Sequence, residues 1–415
     1  MTDLLWPGDD RAGDLFSDAT FLAAMVAVEQ AWLDALVGTG IAPAGAAKED
    51  LLGLVWPAHH EWLANESELG GNPAMALVAL LRDGLRDRNP DAARWLHRGL
   101  TSQDVVDTAL MMCAREAVDR SLAALREQIR GLAGLVEAHR ATPMVARTLT
   151  QHAVPTTFGL KAAQWLTGVL DAYDDVVGLV FPVQVGGAAG TMAATVELAG
   201  DLPDPVGAAT GLALELATGL GLAPSTPWHT SRATVTRLGD AAVRCTDAWG
   251  RIANDVLTLS RPEVGELSEG TGGGSSTMPH KANPVLATLV RRAALSSPQL
   301  AATLHLAAAE SFDERSAGAW HAEWATLRTL LRRTVVAGEQ ASELLSGLRV
   351  HEDRMRATLE AARDDVRAEQ RSMADLAGAA PRDEYLGATA AFLEAPLARA
   401  AGVLAIDHHL SEEPS

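Results

Sequence analysis

The sequence predicts an all-α protein organised around long helices. Apolar residues recur at helical spacing over long stretches, and the alternation typical of strands is scarce. Aromatic residues are only 4% of the 415 residues, whereas alanine and leucine dominate, and this composition also favours helix. Long helices joined by functional loops are typical of a bundle. We therefore expect a long central helical bundle with smaller helical domains at its two ends.

Six long helices account for most of the expected fold. Ser17 or Asp18 can cap the first helix, and Gly38 and Gly40 can end it, because glycine lets the chain leave the helix. Proline stops the third and fourth helices, since it cannot continue a helical hydrogen-bond ladder. At about 1.5 Å per residue the second helix would be roughly 57 Å long. The predicted ranges are 18–36, 102–140, 157–181, 231–260, 284–310 and 319–345.

Three sequential regions are expected along the chain. They are an N-terminal helical domain over 1–100, a central long-helix bundle over 101–345 with a glycine-rich loop at 270–284, and a shortened C-terminal helical domain over 346–415. Helices this long carry more apolar surface than one chain covers easily. We therefore expect the same helices of other subunits to complete the bundle.

Net charge and composition disfavour several classes of protein. The formal net charge of −19 argues against nucleic acids and anionic membrane surfaces as partners, because both attract basic patches. We expect no stretch apolar enough for long enough to span a bilayer, and we find no signal-peptide pattern. Two cysteines give no disulfide framework, which fits the cytoplasm. The histidines lack metal-ligand spacing, so neither a metal nor a cofactor is expected.

The loop over 273–284 carries the densest set of chemical groups. It offers Ser275 or Ser276 as a proton-transfer hydroxyl, Lys281 as a cation and Asn283 as an amide. Its glycines let the backbone approach a ligand, and the helix that follows presents free N–H groups that attract carboxylates. An enzyme acting on a small di- or tricarboxylate needs such groups. A flexible glycine linker between helices is the alternative.

The pattern Ser-Ser-x-Met-Pro-x-Lys-x-Asn-Pro over 275–284 resembles the signature of the fumarase/aspartase superfamily. The resemblance implies a homotetramer with a shared helical core, in which segments of three subunits build each active site. It also implies β-elimination or its reverse beside a carboxylate, through a doubly charged aci-carboxylate, with the first serine as the base. The residues implied in catalysis are Ser275, Ser276 and Lys281, and those implied in substrate binding are Met278 and Asn283.

A second stretch, 97–108, opens the second long helix and also resembles the superfamily pattern. The resemblance implies that a threonine–serine pair binds a substrate carboxylate and that a histidine lies in the site. His97 is thus a catalytic candidate, and the substrate-binding candidates are Arg98, Thr101 and Ser102. From the residues alone, the alternative is a helix cap that leaves Asp104 and Asp107 in solvent.

A third stretch, 146–159, resembles the superfamily pattern Arg-Thr-His-x-Gln-x-Ala-x-Pro-x-Thr. By resemblance, Thr148 and Gln151 bind substrate. Leu149 stands where many members have a histidine that moves a proton, and a leucine can neither donate nor accept one. His152 lies three residues further on and is a substrate-site candidate, with an ordinary loop histidine as the alternative.

Absence of that histidine is also a feature of the 3-carboxy-cis,cis-muconate cycloisomerases. The chain is similar to this branch over further stretches, at 227–232, 263–266 and 314–324. These stretches add Arg232 and Arg315 as candidate cations, since arginine stays charged and binds carboxylates in a bidentate manner. A salt bridge to an acidic neighbour is the alternative for each.

The resemblance therefore implies a cycloisomerase-like reaction, in which a substrate carboxylate adds across a double bond and closes a lactone. Such a nucleophile is already ionised and needs no base, which agrees with the leucine at position 149. The main alternative is a lyase that releases fumarate from a substituted succinate of the nitrosuccinate or adenylosuccinate type. Ala282, where an arginine is common in the cycloisomerases, leaves this alternative open. A non-catalytic helical scaffold is the second alternative. The sequence does not determine the leaving group, the general acid or the pathway.

Overall fold

The computed structural model describes residues 3–46, 49–270, 273–274, 278 and 281–411, with side chains described up to residue 405. Over these residues the protein is predominantly helical, which confirms the all-α prediction. The helices are α1 (Asp18–Gly38), α2 (His59–Gly70), α3 (Pro73–Leu85), α4 (Pro90–Trp95), α5 (Ser102–Ala138), α6 (Phe158–Val177), α7 (Ala193–Leu198), α8 (Pro205–Leu220), α9 (Ala233–Leu259), α10 (Val285–Ala309), α11 (Ala319–Ser346), α12 (Glu352–Ala361), α13 (Arg363–Val366), α14 (Ala368–Leu376) and α15 (Thr389–Ser411). The strands are β1 (Pro143–Thr148), β2 (Gln151–Thr157), β3 (Leu267–Ser268) and β4 (Arg349–Val350).

The six long helices predicted from periodicity are present as α1, α5, α6, α9, α10 and α11. Ser17 caps α1 as expected, because its Oγ accepts the N–H of Thr20 at 3.1 Å. Beyond the end of α1, Gly40 adopts φ 77°, a left-handed conformation that glycine adopts without a steric penalty. Apolar periodicity and caps are therefore sufficient to place these helices.

A β-hairpin, formed by β1 and β2, is an element that the sequence did not predict. Thr148 lies opposite Gln151, so Leu149 and Thr150 form a two-residue turn. Both turn residues have positive φ, 46° and 70°, which costs a non-glycine residue about 1–2 kcal/mol each. The strands are short, mostly half-buried and interrupted by a bulge after Val145, so they lack the clear alternation that identifies a strand.

The chain forms two compact units, each assembled from three stretches of sequence. The first unit comprises Met1–Asp119, Leu179–Asp240 and Gln299–Arg332, and the second comprises Arg120–Gly178, Ala241–Pro298 and Arg333–Ser415. Trp32 and Leu77 are fully buried in the first unit, and Trp165 and Trp249 in the second. The division into three sequential regions stays a prediction.

The C-terminal helices of the second unit stabilise the base of the hairpin. Val145 of β1 packs in one apolar cluster with Ala362, which lies between α12 and α13, and with Val366 of α13. The last helix, α15, lies along α6, and its Arg399 donates to Asp171 and Asp174 at 2.9 Å each. The hairpin is thus held at its base, and its turn projects from this packed region.

One described helix, α1, is long and apolar enough to cross a membrane by length and composition. The expectation that no stretch would meet this criterion is therefore wrong for α1. About half of its most apolar window, 56%, is buried inside the protein, as in the core helix of a folded domain. Its buried face carries Glu29 and Trp32, which both bond to the candidate site.

Candidate active site

The segment that connects α4 to α5 presents His97 in a strained backbone conformation. His97 has φ 61°, a left-handed value that non-glycine residues adopt rarely. Its Nδ1 lies 2.6 Å from Oε1 of Glu29, whose carboxylate is fully buried. Burial opposes a charge on the imidazole, but the charge of Glu29 and its hydrogen bond outweigh burial and raise the pKa of His97. His97 therefore keeps its positive charge to a higher pH than a free histidine does.

Two further side chains hold the same segment in place. Arg82 of α3 donates through Nη2 to the carbonyl oxygen of Leu96 at 2.8 Å. Trp32 of α1 donates through Nε1 to the carbonyl oxygen of Arg98 at 2.7 Å. The strain at His97 is thus stabilised by neighbouring contacts, and strain maintained in this way is concentrated at functional sites.

Asp104, in the first turn of α5, is a buried acceptor with five donors. They are the backbone N–H groups of Thr101, Gly186 and Gly187 and the side chains of Gln184 and His229, at 2.8–3.3 Å. The bond to the N–H of Thr101 caps the start of α5. Asp104 and Asp107 are both fully buried, which excludes the alternative of a helix cap with two solvated carboxylates. The helix start is instead fixed by a charge that the protein encloses.

Thr101 and Arg315, two predicted substrate residues, are in direct contact. Nη2 of Arg315 donates to Oγ1 of Thr101 at 2.8 Å and to the carbonyl oxygen of Ala188 at 3.2 Å. Nε of Arg315 is buried and has no hydrogen-bond partner among the described residues. Thr101 and its neighbour Ser102 are half-buried. The contact places a guanidinium beside the start of α5, where a substrate carboxylate is expected.

Arg232 occupies a buried network of carboxylates. Its guanidinium donates to Asp107 at 2.7 and 3.0 Å, and to Glu323 at 3.0 and 3.1 Å through Nε. It also lies over the ring of Trp228, 4.7 Å from the centroid. Arg232 is 3% exposed, so its donors serve the protein itself. The geometry supports the salt-bridge alternative for Arg232 rather than the substrate contact expected from the sequence.

The hairpin turn of the second unit presents the third set of candidates. Thr148, Gln151 and His152 are all exposed, and Leu149 is 96% exposed at the turn itself. Just before the turn, Arg147 forms a bidentate pair with the buried carboxylate of Glu266 at 2.7 and 2.9 Å. This ion pair fixes the end of β1 next to the turn and leaves the candidate side chains accessible.

Part of the glycine-rich loop lies outside the described residues, including the candidates Ser275 and Ser276. The two ends of the loop are described. Gly273 and Asn283 exchange both backbone hydrogen bonds, at 2.9 and 2.8 Å. Met278 is 41% exposed and accepts the backbone N–H of Lys281 at 3.0 Å. The side chain of Lys281 is exposed, so its ammonium is available to a ligand.

The N-terminus of α10 is occupied by a carboxylate of the protein. Glu269 accepts the N–H of Leu286 at 3.1 Å and that of Ala287 at 2.7 Å. The sequence predicted that this helix end offers free N–H groups to a substrate. For Leu286 and Ala287 that prediction is wrong, because Glu269 already accepts both N–H groups. Glu269 fixes the helix on which the loop ends, and the candidate ligand groups of the loop are its side chains.

Comparison with known proteins identifies the family. A family model described as Lyase matches residues 62–296, more than half of the chain. The chain belongs to this lyase family, within the fumarase/aspartase superfamily. It is accordingly an enzyme of the lyase and cycloisomerase type. Among its relatives, the nitrosuccinate lyase of Streptomyces davaonensis is 46% identical over 355 residues, which are 83% of this chain and 73% of the relative.

The chain is also similar to 3-carboxy-cis,cis-muconate cycloisomerases and to solved structures of lyase-family enzymes. The 3-carboxy-cis,cis-muconate cycloisomerase of Bradyrhizobium diazoefficiens is 42% identical over 74% of this chain and 67% of its own length. The crystal structure of the 3-carboxy-cis,cis-muconate lactonizing enzyme from Pseudomonas putida superposes with a TM-score of 0.81 and 29% identity, covering 95% of this chain and 97% of that one. A fumarate lyase from Mesorhizobium sp. BNC1 gives a TM-score of 0.77 and 28% identity, over 94% and 98% of the two chains.

Several residues of this lyase-family site were not found from the sequence. Glu29 had a usable signal, because a glutamate on the apolar face of α1 must find a partner when that face is buried. Glu266 lay in a matched stretch, but its pairing with Arg147 joins residues far apart in sequence. Arg82 and Glu269 gave no signal, since exposed arginines and glutamates are common on helices and loops.

Glu269→Ala is expected to lower the free energy of unfolding of this lyase by about 1–2 kcal/mol, because two helix N–H groups lose their acceptor. Glu269→Gln retains an amide oxygen and is expected to lose less. Burial raises the pKa of the Glu269 carboxyl, against the opposing effect of the backbone N–H groups. The contribution of Glu269 to stability is therefore largest below its unfolded pKa of about 4.3 and falls as pH rises through the raised value.

Urea denaturation at several pH values and one protomer concentration measures these effects. In the wild type, ionisation of the Glu269 carboxyl is expected to lower stability as pH rises. The Glu269→Gln variant is expected to lack this fall, because an amide does not ionise. An alanine variant as stable as the wild type would contradict the capping role of Glu269.

Proposed function

We propose that this protein is a 3-carboxy-cis,cis-muconate cycloisomerase-like enzyme that forms or opens a lactone beside a carboxylate. The observation that carries the proposal is Leu149, an aliphatic side chain at the fully exposed turn of the hairpin, where the superfamily pattern that this stretch resembles has a proton-moving histidine. A leucine leaves no proton donor or acceptor at this position. The group that joins or leaves the β carbon must therefore be an anion that needs no proton, and a carboxylate meets this requirement.

The proposed reaction balances without a cofactor. A carboxylate oxygen of the substrate adds to one carbon of a double bond, and the electron pair of that bond moves into the neighbouring carboxylate to form an aci-carboxylate. The α carbon then takes a proton delivered through Ser275, and the doubly charged group returns to an ordinary carboxylate. Lys281 and Asn283 stabilise the developing charge, which is commonly the largest contribution to catalysis of this kind. The reverse reaction uses Ser275 as the base.

A substrate carboxylate is proposed to bind at the start of α5. Arg315 already holds Thr101 at 2.8 Å, and its buried Nε has no partner among the described residues. A buried donor of this kind gains most from a charged acceptor, since leaving it unpaired costs about 1–3 kcal/mol. Thr101, Ser102 and Arg315 together would orient the carboxylate that does not react.

A lyase that releases fumarate from nitrosuccinate is the second candidate. The identity to a nitrosuccinate lyase, 46%, favours it. So does Ala282, because the loop has one cation fewer than is common in the cycloisomerases. Nitrite leaves as a stable anion and, like a carboxylate, requires no acid at position 149.

Ultraviolet absorbance distinguishes the two reactions. The purified protein is offered 3-carboxy-cis,cis-muconate and, separately, nitrosuccinate, with Lys281→Met as the inactive control. Loss of the diene signal of 3-carboxy-cis,cis-muconate is the expected result and supports the cycloisomerase. Appearance of fumarate from nitrosuccinate, without loss of the diene signal, would support the lyase instead. Absence of change with both compounds and with a panel of substituted succinates would favour a scaffold without catalytic activity.

The proposal extends to a cytoplasmic homotetramer with shared active sites. Leu295 and Leu306 of α10 are 64% and 68% exposed, and their spacing of about three turns places them on one face of the helix. Such a face is typical of a helix that packs against a partner. Light scattering after size exclusion is expected to give four times the chain mass of 43.6 kDa. A wild-type protein with the mass of one chain, and no change in that mass on Leu295→Glu, would contradict the assembly.

A further inference from the structure

A group of cations surrounds a cleft beside His97 in the first unit. The cleft has a volume of about 520 Å³, and its charged lining residues are Arg82, His97, Arg98 and Glu197. Arg82 has a buried Nε without a hydrogen-bond partner among the described residues. Burial, with a smaller effect from the nearby charge of Arg98, lowers the pKa of Arg82. In a chain with a net charge of −19, this local excess of cations suits a carboxylate ligand.

Glu29 is the single fully buried carboxylate in hydrogen-bond contact with this group of cations among the described residues. Its Oε1 bonds to Nδ1 of His97 at 2.6 Å, and its Oε2 is buried with no partner among the described residues. Enclosing a carboxylate with one unpaired oxygen opposes folding, so the pair does not serve stability alone. A buried carboxylate retained at such a cost is explained by what it does to the imidazole.

We propose that Glu29 is a positioning residue that holds His97 as an imidazolium, with its Nε2–H directed to the cleft as a donor for a substrate carboxylate. The proposal rests on the proposed function, of which it names one carboxylate-binding group. Glu29 occupies Nδ1, so Nε2 is the ring nitrogen that can donate to a ligand, and the imidazole is 18% exposed. The backbone that carries the imidazole is held by Trp32, three residues after Glu29 on the same helix, which donates to the carbonyl oxygen of Arg98.

The charged groups around His97 come from four elements. Glu29 of α1 raises the pKa of His97, Arg82 of α3 lowers it, and Asp104 of α5 raises it, while burial is the largest opposing effect. Glu197 of α7 lines the same cleft. The net result is a raised pKa, so the imidazolium is maintained to a higher pH than in a free histidine.

Carbethoxylation by diethyl pyrocarbonate tests this without any substrate, because only the neutral imidazole reacts. The rate of modification of His97 is followed by mass spectrometry of its peptide across a pH series. In the wild type the midpoint is expected above the ordinary histidine value of about 6.5. Glu29→Gln keeps a hydrogen-bonding group of the same shape but removes the charge, and it is expected to lower the midpoint by about one unit.

Asp34→Asn is the matched control, because Asp34 is an exposed carboxylate on the same helix that contacts Gln30. It is expected to leave the midpoint unchanged. A wild-type midpoint at or below about 6.5, or a His97 that does not react at any pH, would overturn the proposal even if the glutamine variant failed to fold. An unchanged midpoint in folded Glu29→Gln would overturn it as well.

Kinetics separate this inference from the proposed function. With an active substrate, Glu29→Gln is expected to raise KM roughly tenfold at pH values between its own titration midpoint and that of the wild type, and to affect kcat less. The difference is expected to shrink toward acid pH, where both proteins carry the imidazolium. If the His97 midpoints behave as expected but no substrate turns over, the proposed reaction alone is rejected. If substrate turns over but Glu29→Gln leaves the His97 midpoint unchanged, the role of Glu29 alone is rejected.

Discussion

Ser275→Ala is expected to lower kcat by about 10²- to 10⁴-fold, the range over which a positioned acid or base contributes to catalysis. Alanine removes the hydroxyl that delivers the proton to the α carbon, and no other group of the proposed reaction performs this step. Folding is expected to be unchanged, because the substitution removes one oxygen from a glycine-rich loop. The measurement is the rate of diene loss or fumarate release under saturating substrate, together with a thermal unfolding midpoint.

The neighbouring serine supplies the matched control for this prediction. Ser276→Ala changes the same loop by the same atom, and it is expected to reduce kcat less than Ser275→Ala does. Lys281→Met is expected to reduce kcat too, but it removes stabilisation of charge rather than the proton carrier. Near-normal turnover in Ser275→Ala, or a larger loss in Ser276→Ala, would reject Ser275 as the base.

The long helices could be predicted because their signals are local. The hydrophobic stripe of α1, the cap at Ser17 and the glycine beyond its end all lie within one stretch of sequence. The hairpin could not be predicted in the same way. Its strands are held by Arg147 pairing with Glu266 and by Val145 packing against Ala362, contacts whose partners lie more than 100 residues away. Its turn contains Leu149, which is unfavourable in the left-handed conformation it adopts.

The site divides along the same line. The candidate side chains Thr101, Arg315 and His97 were identifiable from the sequence, because a resemblance points to residue types in order along the chain. Of the carboxylates that position them, Glu29 had a local signal on the apolar face of α1, whereas Asp104 had none. Asp104 looks like an ordinary solvated residue in the first turn of a helix, yet its donors Gln184 and His229 come from stretches 80 and 125 residues away. Burial and ion pairing depend on tertiary contacts, so they had to come from the structure.

Arg232→Met is expected to lower the free energy of unfolding by about 3–5 kcal/mol, because it leaves Asp107 and Glu323 buried without their cation. Methionine fills similar space, so most of the loss is electrostatic. Asp107 retains the N–H of Trp320 Nε1 at 2.9 Å, whereas within the described part of the chain every hydrogen bond to the Glu323 carboxylate comes from Arg232, so Glu323 loses more. Arg244→Met on α9, the helix that begins directly after Arg232, is the control, because its pair with Asp175 is more than half exposed and contributes about 1 kcal/mol or less.

The pH dependence gives this prediction a second test. Burial raises the pKa of Glu323 even with Arg232 present, and loss of the cation is expected to raise it further. A raised folded pKa means that folding takes up a proton, so the variant regains stability as pH falls through that pKa toward the unfolded value of about 4.3. Adding Glu323→Gln is expected to recover part of the loss at neutral pH, since a neutral amide needs no cation. The measurement is urea denaturation at one protomer concentration, with kcat/KM determined for the folded variant. A variant as stable as Arg244→Met that has lost substrate affinity would return Arg232 to the substrate-binding role expected from the sequence.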